Sequence, residues 1–180
     1  TDELSEWSIF SYECVSLNPV NTFDVPMPDI TTEILMYGLS NECFKKFCRE
    51  TYEMPDSSMR TDTKIDQLLP DFFLDDQAFD PYGYSVNGIK GDRYFTIHVT
   101  PQESCSYASF ETNLASPELS KVLIRALDIF KPAHFCLAVV YNVGIKKSAE
   151  SMVSCLHQQF NFKTVETRNI NSHTTCYAWL

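Results

Sequence analysis

No stretch of the 180-residue sequence stays apolar for long. A membrane-spanning helix needs about 20 predominantly apolar residues in a row, so none is expected. The opening residues, Thr1 to Glu6, are polar and acidic and carry no signal-peptide pattern. Basic residues are scarce. Lys and Arg number 14 against 24 Asp and Glu, a formal net charge of −10. A nucleic-acid binder usually presents a basic face, and that balance argues against one. It suits cationic small molecules, and it equally suits plain solubility. No Cys-x-x-Cys pair occurs among the seven cysteines at positions 14, 43, 48, 105, 136, 155 and 176. An odd, scattered set argues against a disulfide framework or a zinc site, and for reduced thiols and a cytoplasmic location. No internal repeat or low-complexity segment interrupts the chain.

What is present fits one globular domain. The hydrophobic content is 44%, and 180 residues suffice for a real core. Trp7 to Val15 reads as a strand, Ser16 to Pro28 as a proline-containing loop, and Ile30 to Tyr37 as a strand. Ser40 is placed to cap a helix running to about Cys48. Glu50 to Thr63 is polar and reads as a mobile loop. Lys64 to Leu69 reads as one helical turn stopped by Pro70, and Phe72 to Phe79 as extended chain. Pro117 to Lys131, with Ser116 as its cap, is the clearest helix. Its Leu119, Val122, Leu123, Ala126, Leu127 and Phe130 recur at the helical period. His134 to Val143 is a buried strand and Lys147 to Phe160 an amphipathic helix. Lys163 to Ile170 and Thr174 to Leu180 are closing strands. This order predicts an α+β fold, with helices on one face of a largely antiparallel sheet.

The chemistry concentrates between Phe79 and Asn113. Tyr84 to Lys90 alternates, with Tyr84, Val86 and Gly88 on one face and Ser85, Asn87 and Ile89 on the other. Lys90-Gly91-Asp92 turns. Tyr94 to Val99 places Phe95, Ile97 and Val99 on one face, and Tyr94, Thr96 and His98 on the other. Pro101 ends that strand. Ser106 to Thr112 alternates again. A strand histidine on a polar face is commonly satisfied by ordinary hydrogen bonds. With Ser85 on a neighbouring strand, His98 also suits a proton-handling pair. Asp29, Thr31 and Glu33, at i, i+2 and i+4, share a strand face and read by themselves as a solvated acidic edge. Phe79 by itself reads as core. Cys43, Cys48 and Cys105 have no arrangement that suggests catalysis or metal binding.

The segments FDPYGYSVNG (from Phe79), TIHVTP (from Thr96) and SYASFETN (from Ser106) stand in this order and at these gaps in one known family. DITTEILM (from Asp29) and Phe130-Lys131-Pro132 add to the match. The chain resembles eukaryotic S-adenosylmethionine decarboxylase, closely from about Asp29 to Phe135. The resemblance implies a four-layer αββα sandwich of two similar halves, of which this chain is the C-terminal αβ half over residues 1–180. The open face of its sheet is then covered by the N-terminal half or another chain, and an isolated copy would expose a large apolar face and associate into an oligomer. The resemblance further implies that Ser85 and His98 assist self-cleavage of a proenzyme. Phe79 would stack on the adenine of S-adenosylmethionine, and Gln102 would bind the ribose where the family usually carries glutamate. Glu103 would point the other way if the strand continued. Tyr82 stands where a cysteine is common. Asp29, Thr31, Glu33 and Glu111 would gather into a site for putrescine.

The activity so implied makes decarboxylated S-adenosylmethionine for spermidine and spermine synthesis, and it needs a pyruvoyl group derived from an internal serine. The only Ser-Ser pair, Ser57-Ser58, follows Asp56 in the polar loop, so the group is expected from an N-terminal part outside this chain. The isolated chain is accordingly expected to be inactive. The alternative is a catalytically dead paralogue that regulates an active decarboxylase subunit, and Gln102 favours that alternative.

Overall fold

A computed structural model describes residues 29–115, 119–142, 145–160, 162–170 and 173–179. The strand and loop expected before Asp29, and the cap at Ser116, lie outside them. Among the described residues eight strands form one sheet: β1 (Ile30–Tyr37), β2 (Phe73–Ala78), β3 (Tyr84–Lys90), β4 (Arg93–Thr100), β5 (Tyr107–Thr112), β6 (His134–Asn142), β7 (Thr164–Ile170) and β8 (His173–Trp179). Their spatial order is β2-β3-β4-β5-β1-β6-β8-β7, and every neighbouring pair is antiparallel. Helices α1 (Asn41–Lys46), α2 (Pro55–Thr63), α3 (Leu119–Phe130) and α4 (Lys146–Phe160) make the second layer. The fold is α+β, as the sequence pattern requires.

Alternation decides which face each residue takes. In β1 the β-branched run alternates strictly between buried and half-buried positions. Ile30, Thr32, Ile34 and Met36 face the helices. The register aligns Val86, Ile97, Phe110, Ile34 and Leu137 into one row across β3, β4, β5, β1 and β6, and all five are buried. Helix α3 lays Leu119, Val122, Leu123, Ala126 and Phe130 on that layer, and α4 adds Ala149, Val153 and Leu156. Gly88 is a packing requirement within β3. A Cβ there would stand 2.1 Å from Cε1 of Phe95, whose ring occupies the space. Gly91 opens the β3–β4 turn with φ of 63°, the left-handed region that suits glycine.

One expectation is corrected. The stretch from Glu50 to Thr63 is not a loop. A short 3-10 turn spans Arg49–Thr51, and α2 follows with Pro55 in its first turn, where the missing N–H costs nothing. Only Met59 and Thr63, four apart, are buried on α2, so its apolar stripe was too thin to stand out in the sequence. Ser57 and Ser58 therefore sit on a helix. The sheet's open face is mixed. Ser85, Asn87, Thr96, His98, Glu111 and Glu33 lie on it, with Leu35, Ala138 and Val140 on β1 and β6 and the exposed Phe73 and Ile89 on β2 and β3. Among the described residues no helix is long and apolar enough to cross a membrane.

Candidate active site and acidic cluster

The open face carries two cross-strand rows of polar side chains. The first runs from Gln77 on β2 through Ser85 on β3 and His98 on β4 to Ser109 on β5. Because Ser85 and His98 are directly opposite, Ser85 Oγ and His98 Nδ1 lie 3.0 Å apart. The other ring nitrogen, Nε2, is 3.4 Å from Thr96 Oγ1. A hydroxyl and an imidazole on one rigid surface, both reachable from solvent, form a pair through which a proton can move. The structure brings these two sequence candidates together.

Phe79 follows β2 at the end of this row. Its side chain is 48% exposed, which a core phenylalanine would not be. Its N–H donates to the Gly83 carbonyl at 2.9 Å, and its ring lies beside Gly83, where a Cβ would meet Phe79 Cβ and Cδ2 at 3.6 Å. Gln102 is exposed beyond the end of β4. The chain turns there, with Gln102 N–H donating to the Thr100 carbonyl and Cys105 N–H to the Gln102 carbonyl. Alternation therefore no longer applies there. Gln102 and Glu103 line one shallow groove with Tyr82 and Ser104. The Gln102 Oε1 atom accepts from Cys105 Sγ at 3.2 Å.

The second row crosses Asn87, Thr96, Glu111, Glu33 and Ala138. Two carboxylates, Glu33 and Glu111, are thus direct cross-strand neighbours. Burial, and then the charge of Glu111, push the Glu33 carboxyl above the usual carboxylate range. Tyr94 Oη donates to Glu111 Oε1 at 2.8 Å. The Tyr94 phenol is itself pushed up, first by burial and then by its bond to Glu111, while a bond with Thr31 opposes the shift and the charge of Asp29 adds to it. Thr31 and Glu111 thus both bond the Tyr94 phenol, the charge of Asp29 acts on it, and Glu33 lies opposite Glu111. Sequence reasoning placed Tyr94 on this face but gave it no part. Its position one strand over from Glu111 was the available signal. Beside this cluster Tyr37 stacks on His134 and packs against Tyr107, with centroids 5.7 and 5.4 Å apart.

The Cys43 thiol is buried and pushed up to about 12, which keeps it protonated and unreactive. No group of three or more His, Cys, Asp or Glu side chains gathers to hold a metal among the described residues. A depression of about 560 Å³ opens between α1, α2 and α3, in the helical layer, where Lys131 and Glu42 pair at 3.6 Å. It lies on the opposite side of the sheet from Ser85 and His98.

The family model for adenosylmethionine decarboxylase matches residues 2–178. The chain belongs to the adenosylmethionine decarboxylase family. The S-adenosylmethionine decarboxylase proenzyme of Dictyostelium discoideum is 40% identical over 115 residues, 63% of this chain and 30% of that protein. Proenzyme 2 of Arabidopsis thaliana is 34% identical over 156 residues, 85% of this chain and 41% of that protein. The chain thus spans well under half the length of these relatives. Among solved structures, the AdoMetDC-delta26 monomer of Trypanosoma brucei superposes with a TM-score of 0.66 at 25% identity, over 84% of this chain and 64% of that one. The sheet and helix arrangement described above is the family's own.

The Glu33–Glu111 pair makes stability depend on pH. Because the folded-state pKa of Glu33 is raised, its contribution is present below the ordinary carboxylate range and lost as pH rises through the raised value. Glu33→Gln stays neutral throughout. The variant should be more stable than the parent near pH 7, by about 0.2–1 kcal/mol for relieving a like-charge cross-strand pair. The gain should vanish near pH 3.5, below the usual carboxylate value. Urea denaturation at both pH values reads this, and a variant no more stable than the parent at pH 7 contradicts it.

Proposed function

We propose that this chain is the C-terminal αβ half of a pyruvoyl-dependent S-adenosylmethionine decarboxylase. In this reading the sheet's open face is the inner surface of an αββα sandwich, covered by the N-terminal half or another chain. The observation that carries the reading is the Ser85–His98 pair, 3.0 Å apart on that face, at the end of the sheet where Phe79 stands exposed. A solvated sheet face is commonly polar, and what sets this row apart is a hydroxyl and an imidazole within hydrogen-bond reach of each other.

Each residue then has a task. Phe79 offers an aromatic face to the adenine, and aromatic faces also attract the sulfonium cation of such a substrate. Gln102, in the groove with Tyr82, Glu103 and Ser104, offers an amide to the ribose hydroxyls. Ser85 and His98 hold and move a proton during proenzyme self-cleavage. A pyruvoyl group, when bound, supplies the electron-accepting carbonyl that loss of the carboxylate requires. The residues of the open face suit its neighbourhood, being polar and able to donate or accept. Ser57 and Ser58 do not suit its origin, because α2 packs into the core through Met59 in the opposite layer. The group is therefore supplied by another part of the protein.

Asp29, Thr31, Glu33 and Glu111 form the diamine site of this reading. Carboxylates crowded on a covered surface resist ionisation until a cation joins them. Putrescine, with two ammonium groups, offsets Glu33 and Glu111 together.

A second reading rests on Gln102. A neutral amide whose oxygen already accepts from Cys105 is a weaker ribose partner than a carboxylate. It favours a paralogue that does not turn over substrate but regulates an active decarboxylase subunit.

Proenzyme processing separates the two. In the full-length protein the parent should cleave itself and then release carbon dioxide from S-adenosylmethionine, while this chain alone releases none. His98→Ala and Ser85→Ala should slow cleavage by about 10²-fold or more, the usual range for a lost proton-transfer group. Electrophoresis of purified precursor follows this directly. Parent-like cleavage in both variants contradicts the role of the pair. A full-length parent that never cleaves, yet raises the turnover of an added active decarboxylase, establishes the regulatory reading instead.

The diamine site has its own check. Putrescine should raise the melting temperature of the full-length protein more than a monoamine of similar length does at fixed ionic strength. Glu111→Gln should remove the difference. Equal shifts from putrescine and simple salt would dismiss the site.

A further inference from the structure

Phe79 is an exposed ring at the end of an edge strand, a place where a side chain ordinarily wanders. Among the described residues strand β2 pairs only with β3, so there one side of its backbone has no ladder partner. Ala78, the residue before Phe79, is nevertheless held at both of its backbone groups by charged side chains from the other layer. Its N–H donates to Asp56 Oδ1 at 2.6 Å, from the first turn of α2. Its carbonyl accepts from Arg49 Nη1 at 2.7 Å, from the 3-10 turn, and from Gln77 Nε2 at 3.0 Å.

The loop after Phe79 is pinned by the same segment. Gly83 N–H donates to the Phe47 carbonyl, and Arg49 N–H donates to the Pro81 carbonyl, each at 3.0 Å. Cys48 bridges to Tyr82, and the Phe44 and Tyr82 rings pack 6.0 Å apart. Phe79 N–H closes the loop on the Gly83 carbonyl. Gly83 itself has φ of 117°, a conformation that suits glycine, and a Cβ there would crowd the Val99 carbonyl oxygen at 3.3 Å.

We infer that Asp56 and Arg49 are positioning residues that fix the Phe79 ring for nucleoside stacking, acting through the two backbone groups of Ala78. The inference rests on the reading of Phe79 as the adenine platform and adds the parts that hold it. Bonds between a charged side chain and a backbone group are stronger than neutral ones, which suits a clamp on an edge strand. A platform already in place does not have to be ordered when the ligand arrives, and the saving appears as affinity. Neither residue faces the open side of the sheet. Both reach the site only through the main chain.

The test uses the full-length protein and 5′-methylthioadenosine as the probe, with affinity measured by calorimetry. Phe79→Ala should weaken binding by about tenfold, the scale of one aromatic stacking contact. Asp56→Ala and Arg49→Gln should each weaken it by about three- to tenfold, and the Phe79 amide should exchange with deuterium faster in both, while the core amide of Val86 keeps its protection. The deciding variant is Asp56→Ala combined with Phe79→Ala. It should bind no worse than Phe79→Ala alone, because a clamp that acts through the ring has nothing left to position. Asp56→Asn keeps an acceptor and the fold, and should fall between parent and Asp56→Ala. Additive losses in the combined variant, or parent-like affinity in Asp56→Ala and Arg49→Gln, overturn the inference and leave the platform reading standing. Parent-like affinity in Phe79→Ala removes the platform reading itself, and the clamp's purpose with it.

Discussion

The site depends on strict antiparallel register across β2, β3, β4, β5 and β1. Successive residues on a strand point to opposite faces, so registering five strands sorts two sets of side chains at once. Val86, Ile97, Phe110 and Ile34 align on the helical side. The rows Gln77–Ser85–His98–Ser109 and Asn87–Thr96–Glu111–Glu33 align on the other. A slip of one residue in β4 would bury His98 and expose Ile97. The core's demand for its apolar row is therefore also what sets Ser85 and His98 3.0 Å apart.

The same constraint forces the two carboxylates of Glu33 and Glu111 together. The cost is visible in the raised pKa of Glu33 and in the Tyr94 phenol turned to Glu111. A sheet under no functional demand would place a charge of opposite sign or an apolar pair at such a position. In the proposed reading a bound diamine relieves that conflict.

Much of this was legible in the sequence, and the parts that were not share a physical cause. Strands β3 and β4 and helices α3 and α4 announce themselves because their apolar residues recur at periods of two and 3.6. Ser85 and His98 could be set on the same face by counting. Helix α2 could not be seen, because two buried residues, Met59 and Thr63, are too few to make a periodic signal. Tyr94 was on the correct face yet silent, since its partner Glu111 is 17 residues away. Asp56 and Arg49 left no trace at all. They act on the backbone of Ala78, 22 and 29 residues distant, and a hydrogen bond to a main-chain group places no demand on the identity of the residue it holds. The opposite directions expected of Gln102 and Glu103 were conditional on β4 running on past Pro101, and the chain turns there instead.

The most direct test of the account is a crystal structure of the full-length protein with a non-reactive S-adenosylmethionine analogue. The account predicts the analogue on the open side of the sheet, with its adenine against the Phe79 ring and its reacting end toward Ser85 and His98. An analogue held in the depression between α1, α2 and α3, or anywhere out of reach of Phe79, would contradict it.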